Sequence, residues 1–271
     1  MWLFSSEEQL EKRKKGKITP KIQKLLRRLM SWIRSFDLFL FDFDGLLVNT
    51  EELHFEAYKQ SASARGLELD WDMDEYGRHA YFSATGLKEG FRKKFPKVFD
   101  TDVLWDQFYL EKKKTYITLI EEGRSELMPG VDSLLKELHR LGKKTCVVTN
   151  STLSMIAPIR DHIKELTLIE NWITREDYSD PKPSSQGYQK AIDRLSSEGD
   201  NIIGFEDTIK GLKALLGTEA RAFLISKINF LELSSESVDQ ELKDLSLKKG
   251  AIWSPSLSSF LSDSDAWLSS S

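Results

Sequence analysis

The sequence predicts an α/β protein, in which a parallel β-sheet carries helices on both faces and a helical insert follows its first strand. Three observations support this fold class. A short apolar run at 37–41 predicts a buried strand. From residue 131 onward, strand-like and helix-like segments alternate, which is the pattern of a parallel sheet. Residues 51–124 do not alternate; they show helical spacing, many charged and aromatic residues and little strand signal.

The later elements follow from the same patterns. Helices at 52–65 and 131–141 each end at a glycine, Gly66 and Gly142, which is a common helix terminator. Short apolar runs predict strands at 143–149, 168–173, 201–205, 220–225 and 251–253. Helical spacing predicts the helices at 152–165, 185–196 and 208–216. These elements give a complete parallel sheet with its crossover helices.

Charge and composition divide the chain further. Residues 1–35 hold ten Lys/Arg against three Glu, a net charge of +7, so the remainder carries −11 of the total −4. We expect a basic N-terminal extension at 1–35, an α/β core at 36–50 and 125–260, the insert at 51–124 and a Ser-rich tail at 261–271. The stretch 254–271 is expected to be poorly ordered because it is rich in serine.

The N-terminal extension contains a basic amphipathic helix. Thr19 and Pro20 suit its first positions, and apolar residues then recur on one stripe. The helix either contacts an acidic surface or packs on the body with its basic face in solvent. No nucleic-acid partner is expected, whereas a weak membrane-surface contact through residues 12–34 stays an alternative.

Other features concern the compartment and assembly. The single cysteine, Cys146, cannot form an internal disulfide. Residues 1–4 lead directly into polar residues without an apolar signal region, and no apolar run approaches the roughly 18 residues that span a bilayer. We expect a soluble cytoplasmic protein that is a monomer or a dimer.

Polar side chains follow three predicted strands where each strand ends. They are Asp42 and Asp44 after the first strand, Thr149 and Asn150 after the second, Lys182 in the loop 180–183, and Glu206 and Asp207 after the strand 201–205. Because ligands bind at the carboxyl ends of parallel strands, we expect these residues to converge at one edge of the sheet.

The chemistry of this set is that of phosphoryl transfer. Clustered carboxylates repel one another and need a divalent cation, and oxygen ligands suit Mg²⁺. Asp42 is then the candidate nucleophile, forming an aspartyl-phosphate, and Asp44 the candidate acid/base, which requires a raised pKa. Thr149 and Lys182 can bind phosphate oxygens.

Four motifs resemble, in order, those of the haloacid dehalogenase-like (HAD) superfamily. They are Asp42-Phe43-Asp44-Gly45, Thr149-Asn150-Ser151, Lys182-Pro183 and Gly204-Phe205-Glu206-Asp207. The resemblance covers roughly 36–260 and is closer to the branch of β-phosphoglucomutase and phosphoglycolate-type phosphatases. It implies a Rossmann-like core and makes the insert at 51–124 a small helical cap.

The resemblance also implies a division of labour. Asp42 would be the nucleophile and Asp44 the acid/base. Mg²⁺ would be held by Asp42, the main-chain carbonyl of Asp44, and Asp207, with Glu206 as a further ligand or a supporting partner. Thr149 and Lys182 would bind phosphate. These roles agree with the reading of the residues themselves.

The cap residues are less clearly assigned. His54 stands where the mutases of this branch carry a histidine near the substrate, so it either contacts substrate or has a structural role. Lys112, Lys113, Lys114 and Arg124 are expected to be mainly solvated, with contact of one of them to the polar end of the substrate as the alternative. No arginine stands at 79–91, where a mutase would use one for a second phosphate.

The leading hypothesis is a Mg²⁺-dependent phosphatase that hydrolyses a small phosphorylated metabolite, such as a sugar phosphate or a phosphoglycolate-like molecule. A phosphosugar mutase of the β-phosphoglucomutase type is an alternative, which the missing arginine disfavours. A second alternative is a protein that binds a membrane or a partner through its basic N-terminal helix.

Overall fold

The computed structural model describes residues 31–80, 85–226, 246, 249–257 and 259–261. The predicted membrane contact therefore lies mainly outside the described residues, as does most of the Ser-rich tail. No helix in the described ranges is long and apolar enough to cross a membrane.

In the described residues the core is a six-stranded parallel sheet. Its strands are β1 (Leu38–Phe41), β2 (Lys144–Val148), β3 (Asn171–Ile173), β4 (Ile202–Glu206), β5 (Arg221–Ile225) and β6 (Ile252–Ser254). The strand order is β3-β2-β1-β4-β5-β6, so β1 is central, with Phe41 beside Val147 on one side and Phe205 on the other. The chain reverses its direction of winding at β1, which is where open α/β sheets bind ligands.

Helices cover both faces of the sheet, as predicted. They are α5 (Val131–Arg140), α6 (Leu153–His162), α7 (Gln186–Leu195) and α8 (Ile209–Leu216). Successive residues of a strand point to opposite faces. Accordingly, Phe39 and Phe41 join one buried cluster with α5 and α6, whereas Leu38 and Leu40 join another with α7 and α8.

The two ends of the described core contribute to the first cluster. Trp32 and Ile33, from a 3₁₀ turn at Ser31–Ser35, are buried there, and the Trp32 ring lies 5.2 Å from that of Phe260. Leu257 and Leu261 are buried beside them. The expectation of poor order is therefore wrong for 254–257 and 259–261, because apolar residues three and four apart pack this Ser-rich segment on the core.

The insert consists of helices in its described ranges. They are α1 (Glu51–Ala64), α2 (Met73–Ala80), α3 (Gly86–Lys94) and α4 (Asp102–Glu121). Their core is strongly aromatic, with Phe91 and Phe108 fully buried and their ring centroids 5.1 Å apart. The cap therefore has a hydrophobic cluster distinct from those of the sheet.

Two chain segments connect the cap to the core, and they pair with each other. Val48 forms an antiparallel bridge with Leu127. The Asn49 amide donates to the Glu126 carbonyl at 2.8 Å, and the Met128 amide donates to Leu47 at 2.9 Å. The cap thus leaves and re-enters the core at a single place.

Candidate active site

Lys182 lies at the centre of the carboxylate cluster. Its Nζ donates to Asp42 Oδ1 at 2.5 Å, to Glu206 Oε1 at 2.6 Å and to the Val148 carbonyl at 2.7 Å. Lys182 is 4% exposed and Glu206 is fully buried. The lysine from the loop after β3 therefore joins the ends of β1 and β4 through two buried ion pairs.

Burial and these charges act in opposite directions on Asp42. Desolvation raises the pKa of Asp42 to about 7, although the Lys182 ammonium opposes the rise. Desolvation lowers the pKa of Lys182, but Asp42 and Glu206 more than offset it and raise the pKa above its ordinary value. Lys182 therefore stays charged as the counter-ion of Asp42 and Glu206.

The residues present suit a hard divalent cation. Oxygen atoms of Asp42, Glu206 and Asp207 lie within 4.8 Å of one another. Glu206 Oε2 and Asp207 Oδ1 are buried, and neither accepts a hydrogen bond from any described residue. Desolvation, followed by the charges of Asp42 and Glu206, raises the pKa of Asp207 well above normal. A cation bound among these oxygens would relieve both the repulsion and the missing partners.

Two glycines create the space for these carboxylates. Gly45 has a φ of +79°, and a Cβ atom there would lie 2.2 Å from Asp207 Oδ2. A Cβ atom at Gly211, in α8, would lie 1.9 Å from Glu206 Oε2. Any side chain at either position would collide with the cluster, so the carboxylates occupy space that only a glycine leaves open.

Asp44 accepts hydrogen bonds from three hydroxyl groups, which come from two segments of the chain. Thr50 Oγ1 donates to it at 2.7 Å, Ser151 Oγ at 2.5 Å and Thr149 Oγ1 at 3.4 Å, while His54 Nε2 lies 3.6 Å away. Burial would raise the pKa of Asp44, but His54 and the hydroxyl donors lower it below the usual range.

The raised pKa expected for the acid/base is thus not found in this state. The reason is local: the motif Thr149-Asn150-Ser151 directs two hydroxyls at the carboxylate, and the cap adds an imidazole. Hydrogen bonds donated to a carboxylate favour its charged form.

The cap reaches Asp44 through His54, on α1. The imidazole stacks on Tyr116 with a centroid distance of 4.0 Å, and its Nδ1 lies 2.5 Å from Lys112 Nζ on α4. Burial lowers the pKa of His54 to about 4 and that of Lys112 to about 7. A neutral imidazole can accept at Nδ1 and donate from Nε2 towards Asp44.

Lys112 was expected to be solvated, and this is wrong. The side chain is 2% exposed and lies over the rings of Tyr58, at 4.8 Å, and Tyr116, at 5.0 Å. Its position on α4 faces α1, where aromatic faces and an imidazole replace solvent. Charge alone did not reveal this, because a lysine stem and its head can both be covered by aromatic rings.

Two tyrosines support the site and were not identified from the sequence. Tyr188 OH donates to Glu206 Oε1 at 2.5 Å. Tyr178 OH lies 2.6 Å from the Thr149 carbonyl and 2.9 Å from Asn150 Oδ1. Asn150 also accepts from the Lys182 amide at 3.0 Å. Asn150 therefore links the loop after β2 to the loop that carries Lys182, and its oxygen is engaged within the protein.

The structure brings the predicted residues together at the carboxyl edge of the sheet. Asp42, Lys182, Glu206 and Asp207 form one group, and Asp44, Thr149 and His54 form an adjacent one. The tyrosines could have been suspected only from the helix α7 pattern and the loop position, neither of which distinguishes a buried hydroxyl from core packing.

This arrangement agrees with the family comparison. Residues 36–217 match the haloacid dehalogenase-like hydrolases. The chain belongs to this family. The match spans β1 to the end of α8, so it includes the cap and all four motifs, and it confirms the resemblance drawn from the sequence. The chain is accordingly a hydrolase.

Individual relatives show which members of the family the chain resembles. The chain is 26% identical to Protein CbbY of Cereibacter sphaeroides over 196 residues, which is 68% of this chain and 82% of that protein. It is 24% identical to the Phosphorylated carbohydrates phosphatase of Thermotoga maritima over 184 residues, 65% of this chain and 78% of that protein. Hydrolases named as phosphatases are therefore among its relatives.

A solved structure confirms the fold. The crystal structure of a CbbY mutant from Rhodobacter sphaeroides in complex with xylulose-(1,5)bisphosphate superposes with a TM-score of 0.59. The identity is 23%, and the match covers 70% of this chain and 86% of that one. The parallel α/β sheet predicted from the sequence is thus a known architecture of this family.

Proposed function

We propose that this protein is a Mg²⁺-dependent phosphatase that hydrolyses a small phosphorylated metabolite through an aspartyl-phosphate. The observation that carries the proposal is the pairing of Asp42 with Lys182 beside two carboxylates, Glu206 and Asp207, that have buried oxygen atoms without partners. A fourth carboxylate, Asp44, lies next to this group with a set of hydroxyl donors. A nucleophile, a counter-ion, a cation site and an acid/base candidate thus occur together.

Asp42 would attack the phosphorus atom. Its Oδ1 is held by Lys182, so Oδ2 is the oxygen that forms the new O–P bond while the bond to the leaving oxygen breaks. Hydrolysis of the aspartyl-phosphate by water would then restore Asp42 and release inorganic phosphate. Lys182 favours the ionised form of Asp42 and holds its Oδ1 in a fixed orientation.

Asp44 would move the proton in both steps. It would protonate the leaving oxygen and later take a proton from the attacking water. Thr149 and Ser151 donate to Asp44 in this structure and would instead donate to the oxygens of a bound phosphate. A phosphate that took over these donors would leave Asp44 with fewer partners for its negative charge.

Asp42, Glu206 and Asp207, with the main-chain carbonyl of Asp44, would hold Mg²⁺. When bound, the cation supplies charge neutralisation for the phosphate and the carboxylates. The oxygen-only donor set favours Mg²⁺ over metals that prefer imidazole or thiolate ligands.

The proposed substrate class is a small phosphorylated carbohydrate. The names of two relatives support this: one is a phosphatase of phosphorylated carbohydrates, and the CbbY structure holds xylulose-(1,5)bisphosphate. The core groups can recognise a phosphate, so the cap residues would recognise the remainder of the substrate. His54, next to Asp44, would be the cap residue nearest the reacting group.

The test is phosphate release from p-nitrophenyl phosphate and from a panel of sugar phosphates, with Mg²⁺ and with EDTA. Asp42→Asn should lower kcat by at least about a thousandfold, because it removes the nucleophile. Asp193→Asn, an exposed aspartate on α7 that pairs with Gln189, is the matched control and should keep full activity.

Two results would contradict the proposal. One is wild-type turnover by Asp42→Asn. The other is isomerisation of a hexose phosphate without net phosphate release, which would favour the mutase alternative.

A further inference from the structure

Lys210 connects the core to the cap away from the paired connecting segments. It lies in the first turn of α8, three residues after Asp207, and its Nζ donates to the main-chain carbonyl of Ala80 at 3.2 Å. Ala80 is the last residue of α2 and is 7% exposed. We propose that Lys210 is a positioning residue that holds α2, and with it the cap, over the reaction centre.

The contact suits a cation. The last carbonyls of a helix lack partners within the helix and carry the negative end of its dipole. Lys210 is half-buried, and no carboxylate of the described residues lies within 4.0 Å of its ammonium. Its charge therefore acts on the end of α2 instead of being neutralised by an ion pair on the core.

The surroundings of Lys210 place it close to the reacting groups. Its charge is among those that act on Glu51 and His54, the two cap residues next to Asp207 and Asp44. Gly45 lies close to both Asp207 and Glu51. A Cβ atom at position 45 would collide with Asp207 and would lie 3.2 Å from Glu51 Cγ. The link through Lys210 is thus on the same side of the cap as the chemistry.

The cap can transmit this contact inward from α2. Tyr76 of α2 is buried, and its ring lies 5.0 Å from Phe55 and 6.2 Å from Tyr58, both on α1. α1 carries His54. A fixed α2 therefore helps to fix the helix that presents His54 to Asp44, while the pairing of Val48 with Leu127 restrains the cap only at its connection to the core.

The experiment compares Lys210→Met, which keeps the length and removes the charge, with Lys210→Arg and with Lys213→Met. Lys213 is an exposed lysine on the same helix and serves as the matched control. Hydrogen–deuterium exchange is measured for the amides of α2 and, as an internal reference, of α5, in the substrate-free protein. KM and kcat are measured with a sugar phosphate, and Mg²⁺ affinity is measured by calorimetry.

In Lys210→Met we expect α2 to exchange about five- to thirtyfold faster, as the loss of one charged contact implies, with α5 unchanged. KM should rise by a similar factor with kcat nearly constant and Mg²⁺ affinity unchanged. Lys210→Arg should recover most of both effects, and Lys213→Met should leave the exchange of α2 and KM unchanged.

Wild-type exchange of α2 in Lys210→Met would overturn the proposal. So would a loss of Mg²⁺ affinity as large as the change in KM, because Lys210 would then act through the metal site. The exchange measurement needs no activity, so it judges Lys210 separately from the proposed phosphatase function.

Discussion

The core and the cap each bury a lysine side chain near the reaction centre, and they compensate its charge differently. Lys182 of the core pairs with two carboxylates, Asp42 and Glu206, and its pKa is raised. Lys112 of the cap lies against aromatic faces and His54, has no carboxylate partner among the described residues, and its pKa falls to about 7.

This difference separates two tasks. In the proposed mechanism the core holds a buried nucleophile, Asp42, and a permanent counter-ion favours its charged form. The cap instead keeps a lysine that can lose its proton near neutral pH beside a histidine that contacts Asp44. The lysine that stays charged thus lies in the core beside the carboxylates, and the lysine that can lose its proton near neutral pH lies in the cap.

The largest expected effect comes from breaking the core pair. Lys182→Met should lower the free energy of unfolding by about 3–5 kcal/mol, because Asp42 and Glu206 stay buried without a counter-ion. Urea denaturation measures this change. The double variant Lys182→Met/Glu206→Gln should recover part of the loss, and no recovery would show that the ion pairs are not its cause.

A second prediction concerns the cation. Mg²⁺ at a hundred times its Kd should stabilise the protein by about 2.7 kcal/mol, because it binds the folded carboxylate group. Differential scanning calorimetry measures the shift in Tm. Asp207→Asn should lose most of it, whereas Lys112→Met in the cap should keep it. An equal shift in Asp207→Asn would place the cation elsewhere.

A third, smaller effect is expected from Tyr188→Phe, which removes the hydroxyl that donates to Glu206 Oε1. The cost should be about 1.5–3 kcal/mol, the usual contribution of a hydrogen bond to a charged group. Tyr109→Phe, in the cap, is the control and should change stability by less than about 0.5 kcal/mol. Similar losses of stability in the two variants would show that the core hydroxyl contributes no more than the cap hydroxyl, and would contradict the prediction.

The smallest expected effect, counted per pH unit, is the change in the free energy of unfolding that results from the titration of Lys112. Its folded pKa of about 7 lies below its ordinary 10.5. Between these values the unfolded chain binds more protons, so the free energy of unfolding rises with pH, by at most about 1.4 kcal/mol per unit. Lys112→Met should therefore exceed wild type in stability at pH 7, and this advantage should shrink by pH 9. Chemical denaturation at both values tests it, and a constant difference would contradict it.

That pH dependence depends on the groups around Lys112. His54 and Tyr58 face it from α1, and Tyr109, Lys113 and Tyr116 belong to α4 itself. Glu51 and Asp44 also act on it and favour its charged form. Glu51→Gln, which removes one of these negative charges, should lower the pKa of Lys112 further and widen the pH range of the effect.

Much of the core could be predicted from the sequence because its signals are local. Apolar runs defined β1, β2, β4 and β5 to within one or two residues, and β1, β2 and β4 each ended in polar residues that the sheet edge brings together. Parallel strands have a fixed polarity, so residues far apart in sequence, such as Asp42 and Lys182, could be placed at one edge without any contact information.

The remainder depended on packing, which composition does not show. Lys112 looks like its exposed neighbours until α4 is placed on α1. Phe260 stands in a Ser-rich stretch, yet it fills the core beside Trp32. The low pKa of Asp44 required knowledge of how Ser151 and Thr50 are oriented, since hydroxyls after a strand more often form turns.

The pairing of Val48 with Leu127 also has a consequence for modularity. The two ends of the cap segment are joined by the hydrogen bond between Asn49 and Glu126. With respect to the sheet, the whole cap is therefore an insertion in a single surface loop. The length of the cap segment affects neither the order of the strands nor their register. A different cap, or a short turn, could therefore be inserted at this junction while the core keeps its register. New substrate preferences could then be introduced without any change to the sheet.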